Sequence, residues 1–207
     1  MQGWEVHAAD LTATPAFQEL RCRLHVLDVS NQDSIFAFSE ALQSKPLDLL
    51  LNIAGVMAPK DEDQLETVSP DVLNKTFSVN TFGPLLLTQA LLSNLQASEN
   101  PRVGIVSSRV GSIGDNSSGG SYAYRASKAA VNSVGKSMAM DLRERRVVVS
   151  LLHPGYVRTN LSGPGVEPHP ESVEPEEAAE KLWMVLQRVG MEDTGKFWHR
   201  EGYELPW

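Results

Sequence analysis

The chain has 207 residues, 42% hydrophobic and 21% charged, with a formal net charge of −8 at pH 7. That length suits one domain with a substantial core. The acidic balance argues against nucleic acid or an anionic membrane as partner, because both are met with a basic surface. The single cysteine, Cys22, excludes an intrachain disulfide and fits a reducing, cytoplasmic setting. The histidines His7, His25, His153, His169 and His199 lack ligand spacing, so no metal site is expected. Residues 1–6 lack the basic-then-apolar order of a secretory signal. The most apolar stretch, residues 47–58, is interrupted by Asp48 and Asn52 and is too short to span a bilayer.

In chain order, residues 4–9 read as a short strand, 15–20 as a short helix, and 24–27 as a second strand leading into Asp28-Val29. Ser30 or Asn31 offers a helix cap ahead of Ile35, Phe38, Ala41 and Leu42 on one face. Residues 47–53 are nearly all apolar, as expected of a parallel strand covered on both faces. After a polar loop at 59–69, residues 71–81 and 85–95 read as one helix interrupted near Gly83-Pro84, or as two. Residues 102–107 are a strand, and 111–120, rich in Gly and Ser, a loop. Residues 121–143 are a long helix, and 147–152 a strand rich in β-branched side chains. A Pro- and Gly-bearing loop at 155–170 precedes a helix at 175–189, with Pro in its first turn and Ala179, Leu182, Val185, Leu186 and Val189 at helical spacing. Residues 195–199 are a last short strand. This alternation predicts an α/β fold, a doubly wound, Rossmann-like parallel sheet forming a single domain over residues 1–207. Such sheets bind ligands beyond the carboxyl ends of their strands, which singles out Asp10, Asp28, residues 52–55, Ser107-Ser108 and residues 153–155.

The strongest chemical signal is Tyr124-Arg125-Ala126-Ser127-Lys128. Residues four apart share a helix face, so Tyr124 and Lys128 point the same way. A neighbouring ammonium favours phenolate and lowers a phenol pKa from its ordinary value of about 10. A phenol so tuned exchanges the proton of a carbonyl/alcohol couple. On its own this spacing is common on solvated helices, and the surrounding residues are what give it weight. Ser107-Ser108 closes a strand with Gly111 following. Asn52-Ile53-Ala54-Gly55 closes another, where Gly permits close approach of a ligand. Val79-Asn80 lies on the intervening helix, and Pro154-Gly155-Tyr156-Val157-Arg158-Thr159 follows the strand at 147–152.

Taken in order over nearly the whole chain, these motifs resemble the short-chain dehydrogenase/reductase family. The Gly-Ser loop and Phe197, Gly202 and Leu205-Pro206-Trp207 resemble its C-factor-like subgroup. The resemblance implies hydride transfer between NAD or NADP and a small-molecule carbonyl or alcohol. It makes Tyr124 the acid/base and gives Lys128 the task of lowering its pKa and holding the nicotinamide ribose. Ser108 orients the substrate oxygen, and Asn80 holds a helix and a relay water. Asp28 and Val29 flank adenine, while Asn52, Ala54 and Gly55 line the adenosine side. Pro154, Gly155, Val157 and Thr159 contact the nicotinamide and diphosphate. Asp10 sits where an acid takes the adenine-ribose 2′-hydroxyl, which favours NAD; a plain turn-capping role for it weighs equally. By resemblance the helices at 121–143 and 175–189 are those through which the family forms homodimers or homotetramers; facing the chain's own core is an equal reading of their apolar residues. An inactive dehydrogenase-like scaffold that acts by protein interaction or signalling is the alternative.

Three departures stand out. Ile53 occupies the place of a usual second Asn. The Ser108–Tyr124 separation is longer than the common pattern, which makes Ser112 a rival for the serine role, with Ser108 preferred because it ends a strand. Finally, the family's opening strand, Gly-rich turn and phosphate-cradling helix have no match, since Gly3-Trp4-Glu5-Val6 resembles the start of its second strand. The chain is therefore expected to lack its first βα unit, as a truncated product or an incomplete gene product. The missing strand is placed between the strands at 4–9 and 47–53. Losing three charge-assisted phosphate contacts, at about 1.5–3 kcal/mol each, is expected to weaken NAD(H) binding by roughly three to six decades.

Overall fold

The structure, a computed structural model, describes residues 3–163 and 165–207. Its strands are β1 (His7–Asp10), β2 (Arg23–Val26), β3 (Leu49–Asn52), β4 (Arg102–Val106), β5 (Val148–His153) and β6 (Phe197–His199). Its helices are α1 (Pro15–Gln18), α2 (Gln32–Leu42), α3 (Pro70–Phe77), α4 (Gly83–Ala90), α5 (Leu92–Gln96), α6 (Tyr122–Asp141) and α7 (Pro175–Arg188). All strand pairings within the sheets are parallel, and helices cover both faces, so the α/β class is as expected.

The period-two alternation of β5 builds both layers. Val149 and Leu151 point into the larger core with α2, α4 and α6, while Val148 and Leu152 point to the opposite face, under Val185, Leu186 and Val189 at the α7 end. Glycine sets the closest approaches. A Cβ on Gly104 of β4 would lie 2.6 Å from Leu51, and one on Gly135 of α6 would lie 2.9 Å from Leu151.

Helix starts follow the sequence. Asn31, rather than Ser30, caps α2 by accepting the amides of Asp33 and Ser34 at 2.9 and 3.2 Å. Ser69 caps α3, with Pro70 in its first turn. The interruption expected near Gly83-Pro84 is a π-helical turn, Ser78–Phe82, set between α3 and α4. Gly83 then packs on the chain leaving β2, where a Cβ would meet Val29 Cγ2 at 2.9 Å.

The hydrogen-bonded sheet is in two parts, β1-β2 and β3-β4-β5-β6. Among the described residues β1 thus pairs only with β2, and β3 only with β4.

Candidate active site

The site grows from the carboxyl end of β4. Ser107 donates to Asn132 Oδ1 at 2.6 Å and so anchors the strand end to α6. Ser108 opens a 3-10 turn, Arg109–Gly111, and its Oγ accepts the Val110 amide at 3.4 Å. Gly111 lets this turn lie directly on α6, because a Cβ there would stand 2.7 Å from the Lys128 carbonyl carbon. Arg125 ties the same loop down, donating to the carbonyls of Val110 and Gly119 and to the Ser118 hydroxyl.

α6 presents Tyr124 and Lys128 on its inner face, 8% and 3% exposed. Lys128 Nζ lies 5.8 Å from the centroid of the Tyr124 ring and donates to the Val106 carbonyl at 2.9 Å. Burial pulls the Lys128 pKa down to about 8, because the ammonium has lost most of its water. Burial also raises the Tyr124 phenol above its ordinary value, and the Ser108 hydroxyl beside it offsets part of that rise. The direction is opposite to the downward tuning expected from the sequence. Desolvation of the phenolate sets that direction.

Asn80, 1% exposed, lies in the π-helical turn. Its Oδ1 accepts the Val56 amide at 2.8 Å, and its Nδ2 donates to the Val56 carbonyl at 2.9 Å and to Ser127 Oγ at 3.0 Å. One side chain therefore clamps the loop after β3 to α6. Such π turns recur at functional sites because the extra residue re-aims a side chain. Gly55 completes this corner, since a Cβ on it would sit 3.5 Å from Asn80 Oδ1 and 3.6 Å from Lys128 Nζ. The bare glycine leaves a cradle beside the ammonium, and the buried Asn52 has an Nδ2 with no partner.

The remaining expected residues fall into two groups. Pro154 and Gly155 follow β5, and the Arg200 guanidinium holds their turn by donating to the carbonyls of Pro154 at 2.6 Å and Tyr156 at 3.1 Å. Gly155 has φ +71°, and a Cβ there would strike Arg200. Val157 bridges to Val173, and Thr159 caps a short 3-10 turn. Asp28 is engaged in its own turn, accepting the Ser30 amide and hydroxyl, while Val29 packs against the core and Ala54 is exposed. Asp10 is exposed at the end of β1, within a long 3.5 Å contact of the Thr12 amide. The rival serine, Ser112, is buried and accepts the Asp115 amide at 3.3 Å, whereas Ser108 faces the phenol.

The sequence reading missed Arg200, Ser127, Arg125 and Asp63, each of which acts across the fold on a partner it does not neighbour in the chain. His153 was named only as part of a strand end. Burial and the nearby His199, Arg109 and Arg200 push its pKa down to about 3, so the ring is neutral and its Nδ1 accepts the Arg109 amide at 3.3 Å. Beside the site lies a cavity of about 320 Å³ lined by residues 55–59, Glu62, Val72, Lys75, Thr76, Asn160, Leu161 and Gly163. Among the described residues there is no cluster of three or more metal-ligating side chains, and no helix long and apolar enough to cross a membrane.

Residues 2–168 match the short chain dehydrogenase family. The 1-hydroxy-2-glutathionyl-2-methyl-3-butene dehydrogenase of Rhodococcus sp. (strain AD45) is 38% identical over 209 aligned positions, covering 99% of this chain and 84% of that protein. The C-signal protein of Myxococcus xanthus is 39% identical over 176, covering 83% of this chain and 99% of its own length. The crystal structure of NADPH-bound carbonyl reductase from chicken fatty liver superposes with a TM-score of 0.87 at 28% identity, covering 97% of this chain and 87% of that one. A match over most of the length, with relatives near 40% identity and the same layered fold, makes this chain a member of the short-chain dehydrogenase/reductase family, of the C-factor-like kind, and so an NAD(P)-dependent oxidoreductase.

Proposed function

We propose that the chain interconverts a small carbonyl compound and its alcohol, with Tyr124 as the acid/base. The observation that supports this reading is the meeting of three groups at the end of β4: a buried phenol, a buried ammonium four residues on, and a serine hydroxyl facing the phenol. In the reducing direction, Ser108 donates a hydrogen bond to the substrate oxygen and holds it against the Tyr124 hydroxyl. The phenol gives up its proton as negative charge grows on that oxygen. A raised phenol pKa keeps Tyr124 protonated at neutral pH, which is the state a proton donor needs. Lys128 is a poorly solvated cation, so it gains most when a phenolate forms beside it. It therefore stabilises the state that follows proton transfer more than the state before, which is the condition for catalysis.

The nicotinamide, when bound, supplies or accepts the hydride. The space left by Gly55 beside Lys128 Nζ and Asn80 fits its ribose. Lys128 and Tyr124 would hold that ribose, and Asn52, Ala54 and Gly55 the adenosine side. Asp28 and Val29 would take adenine, and Pro154, Gly155, Val157 and Thr159 the nicotinamide and diphosphate. NAD is the proposed form, since the exposed Asp10 carboxylate has only a long contact of its own and is open to ribose hydroxyls. Solved relatives carry the phosphorylated cofactor, so NADP is the competing form. Exposed Tyr122 and Met140 on α6 and Met184 on α7 support a homodimer or homotetramer.

Following the absorbance of reduced nicotinamide over a panel of aldehydes and ketones tests the proposal. Tyr124→Phe is expected to abolish turnover while cofactor Kd rises by no more than about tenfold, the most that one lost ribose hydrogen bond can cost. A Tyr124→Phe enzyme that still turns over moves the acid/base elsewhere. The 39% identity to the C-signal protein supports a second reading, a signalling scaffold, which predicts no turnover of any panel member.

A further inference from the structure

Asp63 is a carboxylate with 1% exposure, in the loop between β3 and α3, sixty residues ahead of the helix it touches. Its Oδ1 accepts the amide of Ala123 at 2.7 Å and its Oδ2 the amide of Tyr124 itself at 3.2 Å. These are the amides that a helix's own N-cap side chain ordinarily takes. α6 cannot cap itself. Ser121, at the N-cap, is held in the left-handed region at φ 49°, ψ 51°, and its side chain makes no capping bond. Asp63 serves these amides in its place.

The same loop is hydrogen-bonded within itself and lines the cavity. Gln64 Nε2 donates to the Lys60 carbonyl at 2.7 Å, and the Gln64 backbone N–H donates to Thr67 Oγ1 at 3.3 Å. Its side chain also rests on Gly120, where a Cβ would meet Oε1 at 3.3 Å. Pro59 and Glu62, the latter adjacent in sequence to Asp63, are cavity wall. The position of the phenol is thus tied through one carboxylate to the wall that any substrate chain filling the cavity must touch.

We propose that Asp63 is a positioning residue for Tyr124, a clamp that sets the phenol from the cavity loop and transmits substrate fit to it. This rests on the acid/base reading of Tyr124. A displacement of about 1 Å at a reacting group lowers rate by about 10²-fold, and Asp63→Asn presents an N–H to an amide N–H in place of an oxygen. The test compares Asp63→Asn, Asp63→Glu and wild type in three measurements: steady-state kinetics on the best panel substrate, cofactor Kd, and amide hydrogen exchange across residues 121–128. Expected are a fall of about 10²-fold in kcat for Asp63→Asn with cofactor Kd unchanged, partial recovery in Asp63→Glu, and faster exchange confined to the first turn of α6. Unchanged kcat together with unchanged exchange overturns the clamp. Equal loss of kcat and cofactor binding, with exchange raised along all of α6, also overturns it by reducing Asp63 to a general stabiliser. If wild type turns over nothing, the acid/base reading fails, and the exchange measurement still decides whether the clamp exists.

Discussion

Replacing Lys128 with methionine separates what the ammonium does for function from what it does to stability. Nζ is buried with one hydrogen bond, to the Val106 carbonyl, and burial lowers its pKa from 10.5 to about 8. At about 1.36 kcal/mol per pKa unit, the charged form is disfavoured in the fold by about 3 kcal/mol. Between pH 8 and 10.5 the unfolded chain holds this proton and the folded chain does not. Stability therefore rises with pH across that window, is complete above it, and is lost as pH falls through about 8. Methionine keeps the length and removes the charge, but leaves the Val106 carbonyl without this donor, at a cost of about 1–3 kcal/mol. The net expectation at pH 7 is a variant about 1 kcal/mol more stable than wild type, with turnover lost. Denaturant unfolding of both proteins at pH 7 and pH 10.5 is the assay, and the difference between their pH dependences isolates this group. Wild type should gain about 3 kcal/mol relative to the variant across the interval. Parallel curves, or a variant more than about 2 kcal/mol weaker at pH 7, would refute the claim that the ammonium is held against its solvation.

Gly111→Ala puts a methyl 2.7 Å from the Lys128 carbonyl carbon and 2.8 Å from the Ala129 nitrogen, backbone atoms that cannot swing aside. Overpacking of this kind costs about 1–3 kcal/mol, and the displaced Ser108 turn should lower kcat by about 10²-fold; kinetics and a melting curve at wild-type values would show that the turn does not need this contact. His153 stays neutral until about pH 3, while an unfolded histidine protonates near 6.5, so this site loses stability as pH falls between those values. Wild type should lose about 2 kcal/mol more than His153→Asn between pH 7 and pH 5, read by urea unfolding at both; equal losses would mean that the ring takes up its proton in the folded chain.

Much of this protein is legible residue by residue, and the reason is that the signals involved are local. A pair four apart on a helix shares a face whatever the fold, so Tyr124 and Lys128 were placed together by spacing alone. Alternation of apolar strands with amphipathic helices determines parallel pairing, and with it the side of the sheet where residues 52–55, Ser108 and 153–155 emerge. Pro70, Pro175 and Asn31 mark helix starts through their own backbone preferences.

Tertiary structure alone decided the rest, because each of those features depends on what packing brings alongside. The proximity of the Ser108 hydroxyl to the Tyr124 ring, while Ser112 is turned to the Asp115 amide, depends on how separate elements pack. The upward shift of the phenol depends on exclusion of water by the assembled layers, a quantity no spacing rule contains. The hold of Asn80 on Val56 and Ser127 arises from a π turn that no periodicity announced. The bonds from Asp63 to Ala123 and from Arg200 to Pro154 span sixty and forty-six residues. Periodicity describes one element at a time, whereas a site is made where several elements end together.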